Sequence, residues 1–295
     1  MSSPTSMPNP AADPGPPTAG GPVKHFIITR FNLRSTDPSS ARMIDENYLA
    51  QRLDLFERFC LPTVRNQTRQ DFKWLVLFAD DTPASAKARI ARYAEWPNFV
   101  PVYLGAGLDR VGRLVVEPYL DGSAQTLITT RIDNDDGLCR DYIEKVRRYE
   151  STAERVVVQF PVGYVWHRDR IYLDRQEHNA FTTLIEPLPA GNGSEFFTIY
   201  KGSHSGIQRL GRVIDADDGP GWLQVIHDTN LENYVRGRRQ RIDALPRLFD
   251  IDVPASAHAE SSLEIGIDRV RTFATSTATR VVRSIRFRLG RDEDH

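Results

Sequence analysis

Asp133, Asn134, Asp135 and Asp136 place three carboxylates within four consecutive residues. Carboxylates so crowded repel one another unless a cation or a basic partner neutralises them. Their hard oxygen atoms suit Mg²⁺, Mn²⁺ or Ca²⁺. An ion held there and bridging a diphosphate would stabilise the charge that builds as a nucleotide leaves. The competing reading is a solvated acidic turn, because Asp and Asn are frequent in turns and D-x-D alone is a weak motif. A calcium loop counted from Asp133 would put Asp135 third and Glu144 twelfth, but Leu138 stands sixth, where the sharp turn needs glycine. An aspartyl nucleophile following a strand would need a partner set that the sequence does not display.

The surrounding elements favour the metal reading. Gln125 to Ile132 (QTLITTRI) reads as a buried strand that runs straight into the cluster. Three earlier strands are expected at Lys24 to Phe31, Lys73 to Ala79 and Asn98 to Leu104. Between the first two, Leu49, Leu53, Phe56 and Cys60 recur at helical spacing within Tyr48 to Asn66, a helix that Pro62 should kink or end. Asp80-Asp81-Thr82-Pro83 signals the start of the next helix, and Arg140 to Tyr149 reads as a later helix.

This alternation predicts an α/β fold with a doubly wound, mostly parallel sheet, whose ligands sit at the carboxyl ends of the strands. The second half changes character. Arg155 to Phe160, Gly163 to Leu173, Ala180 to Glu186 and Glu195 to Tyr200 read as closely spaced strands, a mixed or antiparallel extension of the same sheet. Helix and loop are expected between Gly202 and Gly237.

Composition bounds the possibilities. The chain has 295 residues, is 40% hydrophobic and 26% charged, and carries a formal net charge of −1, so no global basic field argues for nucleic acid. Cys60 and Cys139 form no Cys/His cluster, which disfavours a thiolate zinc site and fits a reducing cytoplasm. Residues 1–22 are rich in Pro, Ala, Ser and Gly, lack a signal-peptide pattern, and are expected to be a disordered tail. Residues 23–250 are expected to form the main domain, and 251–295 a basic extension. In that extension Arg269, Arg271, Arg280, Arg283, Arg286 and Arg288 alternate with apolar residues. Such a stretch suits peripheral contact with an anionic bilayer at the inner face of the membrane. A terminal helix or strand with solvated arginines is the plainer reading.

Several blocks together resemble the "Putative rhamnosyl transferase" family of bacterial GT-A glycosyltransferases. They are Thr29-Arg30-Phe31-Asn32, Phe59-Cys60-Leu61-Pro62 through Gln67, Trp74-Leu75-Val76-Leu77 with Asp80, the run Thr129 to Gly137 (TTRIDNDDG), and Trp222 to His227 with Asn230. The resemblance spans about Lys24 to Gly237. It implies a GT-A-like single α/β domain that binds a nucleotide-sugar donor beside Mn²⁺ or Mg²⁺ and transfers a sugar, rhamnose being the one the family name suggests, to a glycan or lipid-linked acceptor. It also implies that Asp135, with Asp133, contacts the metal or the ribose, that Asp136 orients donor or acceptor, and that His227 is a late metal or phosphate ligand. A half-buried structural histidine under Trp222 is the alternative for His227.

Arg30 and Asp80 end strands on the nucleotide side, so Arg30 could meet a phosphate and Asp80 the base; a surface ion pair or a helix cap would explain them equally. Arg131 could bond the diphosphate or simply pair with the acidic cluster. Glu186 and His204 fall in the acceptor half. An inverting transfer needs a general base near the acceptor hydroxyl, and Glu186 is the first candidate, Asp136 the second. The alternative to an enzyme is a calcium- or glycan-binding α/β protein that kept the acidic loop.

Overall fold

The structure, a computed structural model, describes residues 22–34, 38–105, 113–150, 154–188, 196–201, 204–227, 235–254 and 265–266. All but Pro22 of the expected tail and nearly all of the basic C-terminal stretch, with Asp228 and Asn230, lie outside the described residues.

The first half follows the alternation. Strands β1 (Val23–Arg30), β2 (Lys73–Ala79), β3 (Phe99–Leu104) and β4 (Thr126–Arg131) pair in parallel in the order β4-β1-β2-β3. Successive β1 side chains enter cores on opposite faces. Ile27 joins the larger core, while Phe26 and Ile28 pack with Leu75, Leu77 and Leu127 on the other side. Burial on both faces is why these strands read as unbroken apolar runs.

The first helical segment begins with α1 (Glu46–Leu55), capped by the Asp45 side chain, which accepts from the Tyr48 N–H at 2.8 Å. It does not stop at Pro62. A π-helical turn, Phe56–Cys60, is followed directly by α2 (Leu61–Arg65). Proline lacks an N–H and its ring crowds the carbonyl four residues back. The wider turn, closed by the Leu61 N–H on the Phe56 carbonyl, gives that ring room. Asp80 to Pro83 precede α3 (Ala84–Tyr93), whose N-cap is Pro83 and has no side-chain cap bond, so Asp80 is not the helix cap. The short α4 (Arg113–Val116) precedes β4, and α5 (Tyr142–Arg147) follows the acidic cluster.

The second half departs from expectation. Strands β6 (Val156–Gln159), β9 (Thr182–Pro187) and β10 (Arg212–Asp215) extend the first sheet to seven strands, with β9 antiparallel between β4 and β6. The rest build a second sheet of five strands, not an extension of the first: β12-β8-β7-β11-β5. These are β5 (Gly137–Leu138), β7 (Val162–His167), β8 (Arg170–Arg175), β11 (Trp222–Ile226) and β12 (Arg238–Gln240). The single strand expected at Gly163 to Leu173 is the β7–β8 hairpin, whose tip, Arg168-Asp169, has φ of 48° and 58°. A two-residue hairpin loop with both φ values positive matches the twist of its strands. Of the strand expected at Glu195 to Tyr200, Glu195 lies outside the described residues and the rest is loop leading into a 3₁₀ turn, Ile199–Lys201. The stretch expected as helix and loop carries β10 and β11. The final helix, α6, is Leu245–Phe249.

Between β4 and β5 the chain crosses from one sheet to the other, and residues 132–136 are that crossing. The larger core lies between the two sheets and under α1, joining Ile27, Phe56, Trp74, Tyr142, Trp166 and Trp222. Among the described residues no helix is long and apolar enough to cross a membrane.

Candidate active site

The acidic segment is positioned from three sides. Strand β4 delivers it to the carboxyl edge of the first sheet. β5 then pairs antiparallel with β11, Gly137 opposite Leu223 and Leu138 opposite Trp222. Following that register backwards brings Asp136 and Asp135 alongside the end of β11. The Asp136 Oδ1 accepts from the Val225 N–H at 2.9 Å, and the Asp135 Oδ2 lies 2.8 Å from the His227 Nε2. Gly137 allows the third approach. A Cβ there would meet the Thr63 side chain at 3.1 Å, and the Thr63 hydroxyl instead accepts from the Leu138 N–H at 3.3 Å. The π-helical turn adds Cys60, whose Sγ donates to the Asp133 carbonyl at 3.5 Å. Burial, then the neighbouring carboxylates, holds that thiol well above its ordinary range, so Cys60 is an inert core thiol.

The three aspartates have different surroundings. The Asp133 side chain is 38% exposed and accepts from the Arg131 Nη2 at 3.3 Å. Asp135 is desolvated by burial, which would raise its pKa, but the His227 and Arg52 contacts outweigh this and hold it below the usual carboxylate range. Asp136 is pushed well above that range by burial first, then by Asp135 and Asp133. One acidic run thus holds a stabilised anion beside a carboxyl that resists ionising, the divergence expected where two carboxylates have different tasks.

Arg52 escaped the sequence reading. Its Nη1 lies 3.1 Å from the Asp135 Oδ2 and 3.1 Å from the His227 Nε2, and its Nη2 donates to the Asn134 side-chain oxygen. Asn134 in turn donates to the Phe31 carbonyl at 3.0 Å, tying the loop to the end of β1. The available signal was position: Arg52 stands three residues after Leu49 and four before Phe56, on the flank of an apolar face.

Tyr200 was also missed. The Arg30 guanidinium lies 4.9 Å and that of Arg131 5.3 Å from its ring centroid. Strands β4 and β1 fix the ring. The Thr129 hydroxyl accepts from the Ile199 N–H at 2.9 Å, and the Tyr200 hydroxyl donates to the Ile28 carbonyl at 3.2 Å. Arg30 and Arg131 are therefore gathered beside Asp133 at one edge of the sheet, an arrangement whose planar guanidinium groups could meet the oxygens of a phosphate.

The remaining candidates sit apart. Asp80 is exposed at the end of β2, with β1 between it and β4; its carbonyl accepts from Lys87. It shares the carboxyl edge but touches none of the cluster. Glu186 is not brought to the cluster at all. It pairs with Leu127 at the start of β4, so four residues of strand, about 13 Å at ~3.3 Å per residue, separate that position from Arg131. Its Oε1 accepts from Arg155 at 2.6 Å and its Oε2 from the Phe197 N–H at 2.6 Å. The antiparallel direction of β9, which the sequence does not reveal, puts this carboxylate at the opposite end of the sheet. The His204 side chain lies outside the described residues.

The Asp135–His227 pair fits a divalent ion as two ligands. Neighbouring ligands of an octahedral ion with bonds of ~2.1 Å stand about 3 Å apart, close to the observed spacing, and oxygen with imidazole suits Mn²⁺ better than Mg²⁺. Among the described residues no group of three or more His, Cys, Asp and Glu side chains is placed to hold an ion. The other positions would therefore fall to ligand oxygens and water.

The mixed α/β scaffold places an acidic crossing, flanked by Arg30 and Arg131, at the carboxyl edge of a mostly parallel sheet, the edge where open α/β sheets bind their ligands. The chain belongs to the family described as "Putative rhamnosyl transferase", which it matches over residues 27–239. No curated protein matches it. Among solved structures it is similar to S. aureus TarS 1–349, at 8% identity and a TM-score of 0.38, over 68% of this chain and 60% of that one. The same protein in complex with UDP gives 9% identity and a TM-score of 0.40, over 69% and 60%. The inositol-1-phosphate CTP transferase from T. maritima gives 10% identity and 0.33, over 72% and 93%. The chain spans about three-fifths of the length of the TarS 1–349 structures. Likenesses this slight do not assign an activity.

Proposed function

We propose that the protein is a glycosyltransferase that moves a sugar, rhamnose being the family's suggestion, from a nucleoside-diphosphate sugar to an acceptor hydroxyl with the help of Mn²⁺ or Mg²⁺. The observation that carries this reading is the contact of Asp135 with His227, two residues along the chain from Asp133, whose carboxylate accepts from Arg131 of the Arg30–Arg131–Tyr200 group. Arg30 and Arg131 end strands of the first sheet, and the crossing to the second sheet brings Asp133 and Asp135 past them to His227 at the end of β11. Asp135 and His227 would hold the ion, with Asp133 next to them. When bound, the ion would neutralise charge on the departing nucleotide.

The chain's own residues would do the rest. Arg30 and Arg131 would grip the diphosphate, their planes steadied by Tyr200. Asp136, anchored through one oxygen on the Val225 N–H, would orient the donor sugar or receive the acceptor proton. Asp80 is an outer contact for the base of the nucleotide. Glu186 has no part in the chemistry on this reading.

The test is a thermal-shift screen of UDP, GDP, dTDP and CDP sugars with and without Mn²⁺, followed by donor hydrolysis. A ligand bound only by the native state raises the melting temperature. One nucleotide class should do so, most strongly with Mn²⁺, and its sugar should be released. A protein that binds but never consumes any nucleotide sugar would be a binding module instead. Contact of the basic C-terminal stretch with a membrane surface belongs to the same proposal, as a route to a lipid-linked acceptor, and flotation with anionic liposomes tests it.

A further inference from the structure

Three atoms form a small triangle at the centre of the site. The Arg52 Nη1, Asp135 Oδ2 and His227 Nε2 are separated by 3.1, 3.1 and 2.8 Å. All three side chains are largely shielded, at 13%, 11% and 15% exposure. The guanidinium therefore lies against both of the groups best placed to ligate an ion. It is fixed there from behind by Asn134, which is tied to β1, and by helix α1, which continues into the π-helical turn and Cys60. A guanidinium and a divalent ion cannot share so small a space without strong repulsion, since charges a few ångströms apart and shielded from water interact at reduced dielectric.

We propose that Arg52 is a resident counter-cation of the Asp135–His227 pair, and that a divalent ion takes its place there only when the guanidinium is displaced. The idea rests on the metal reading of the site given above. Arg52 holds the carboxylate and the imidazole in contact before any ion arrives, and this same contact weakens binding of the free ion. A diphosphate supplies what the displaced guanidinium needs, because phosphate oxygens accept its N–H groups as well as a carboxylate does. Ion and donor are then favoured together, and each should raise the affinity of the other by the same factor. Arg52 is a positioning and gating residue on this view, not a ligand.

The experiment measures Mn²⁺ binding to the full chain without substrate, by the electron paramagnetic resonance signal of free Mn²⁺. Wild type is compared with Arg52→Gln, which keeps N–H donors for Asn134 and Asp135, with Arg52→Met, and with each combined with Asp135→Asn. Far-UV circular dichroism and the urea midpoint check folding, and Arg52→Gln carries the test if Arg52→Met does not fold. Both neutral variants should bind Mn²⁺ at least about tenfold more tightly than wild type, and Asp135→Asn should remove the gain. Equal or weaker binding in Arg52→Gln would overturn the proposal and leave the metal site standing. A gain that survives Asp135→Asn would place the ion elsewhere and overturn it too. If neither wild type nor any variant binds Mn²⁺, the proposal and the metal reading fall together.

Discussion

Gly163→Ala should destabilise the protein through a position that the sequence gives no reason to notice. A Cβ at residue 163 would lie 2.0, 2.3 and 2.4 Å from three ring carbons of Trp222. Carbon atoms normally rest ~3.5–4.0 Å apart, so one partner must retreat by more than about 1 Å. The indole has nowhere to go. It is fully buried, stacks on Phe181 at 5.1 Å with planes 2° apart, and donates its Nε1–H to the Phe160 carbonyl at 2.8 Å. Nor can the strands part easily, because β7 and β11 are joined in a parallel ladder from Tyr164–Leu223 to His167–Ile226.

Overpacking a tight core costs roughly 1–3 kcal/mol and sometimes more, and with every exit closed we expect about 3 kcal/mol. Urea unfolding followed by tryptophan fluorescence measures it, as a lowered midpoint with an unchanged slope. Trp222→Leu should make room, so the double variant should be less destabilised than the sum of the two by about 1 kcal/mol or more. The strain also reaches the site, since β11 leads to the Val225 N–H on Asp136 and to His227 on Asp135. Mn²⁺ affinity should therefore fall in the folded variant. A loss of less than about 1 kcal/mol, or simple additivity with Trp222→Leu, would refute the close-packing argument.

The other expected outcomes concern the chemistry. Asp135→Asn should keep the fold yet lower sugar transfer by at least about a hundredfold, and EDTA should have a comparable effect on wild type; full activity in either condition removes the metal role. His227→Ala should weaken nucleotide-diphosphate affinity at least about tenfold in Mn²⁺ and far less without it, whereas calorimetry showing equal losses would mark a structural histidine. Glu186→Gln should leave turnover within about threefold, where loss of a general base would cost ~10²–10⁴-fold. Burial holds the Glu186 carboxyl above its ordinary range, with Arg155 and the Phe197 N–H opposing. The unfolded chain therefore releases this proton first as pH rises, and wild-type stability falls from the ordinary carboxylate range up to the raised folded value. Glu186→Gln should flatten that slope in urea titrations across acidic pH, and an unchanged slope would show that another group causes it.

Local pattern alone determined the first half of the molecule. KWLVLFA is a strand because six successive apolar residues after Lys73 suit burial on both faces, and β2 runs over the whole run, Lys73–Ala79. TTRIDNDDG announced both a strand and the polar loop at its carboxyl end, because the change from apolar to acidic residues is written in adjacent positions. What the acidic residues face was not legible. Asp135 meets Arg52 and His227 across 83 and 92 residues of chain, and Val225 reaches Asp136 across 89. The pairing of β5 with β11, two residues long, decides the meetings with His227 and Val225, and the packing of α1 against the crossing decides that with Arg52. The sequence placed Glu186 correctly at the end of a strand, but a strand pattern has no direction relative to its neighbours. Antiparallel insertion of β9 carried that end away from the cluster. Side-chain period and burial are local properties of the chain; strand direction, sheet membership and the convergence of charges are set by which distant segments share a core, and so belong to the tertiary structure.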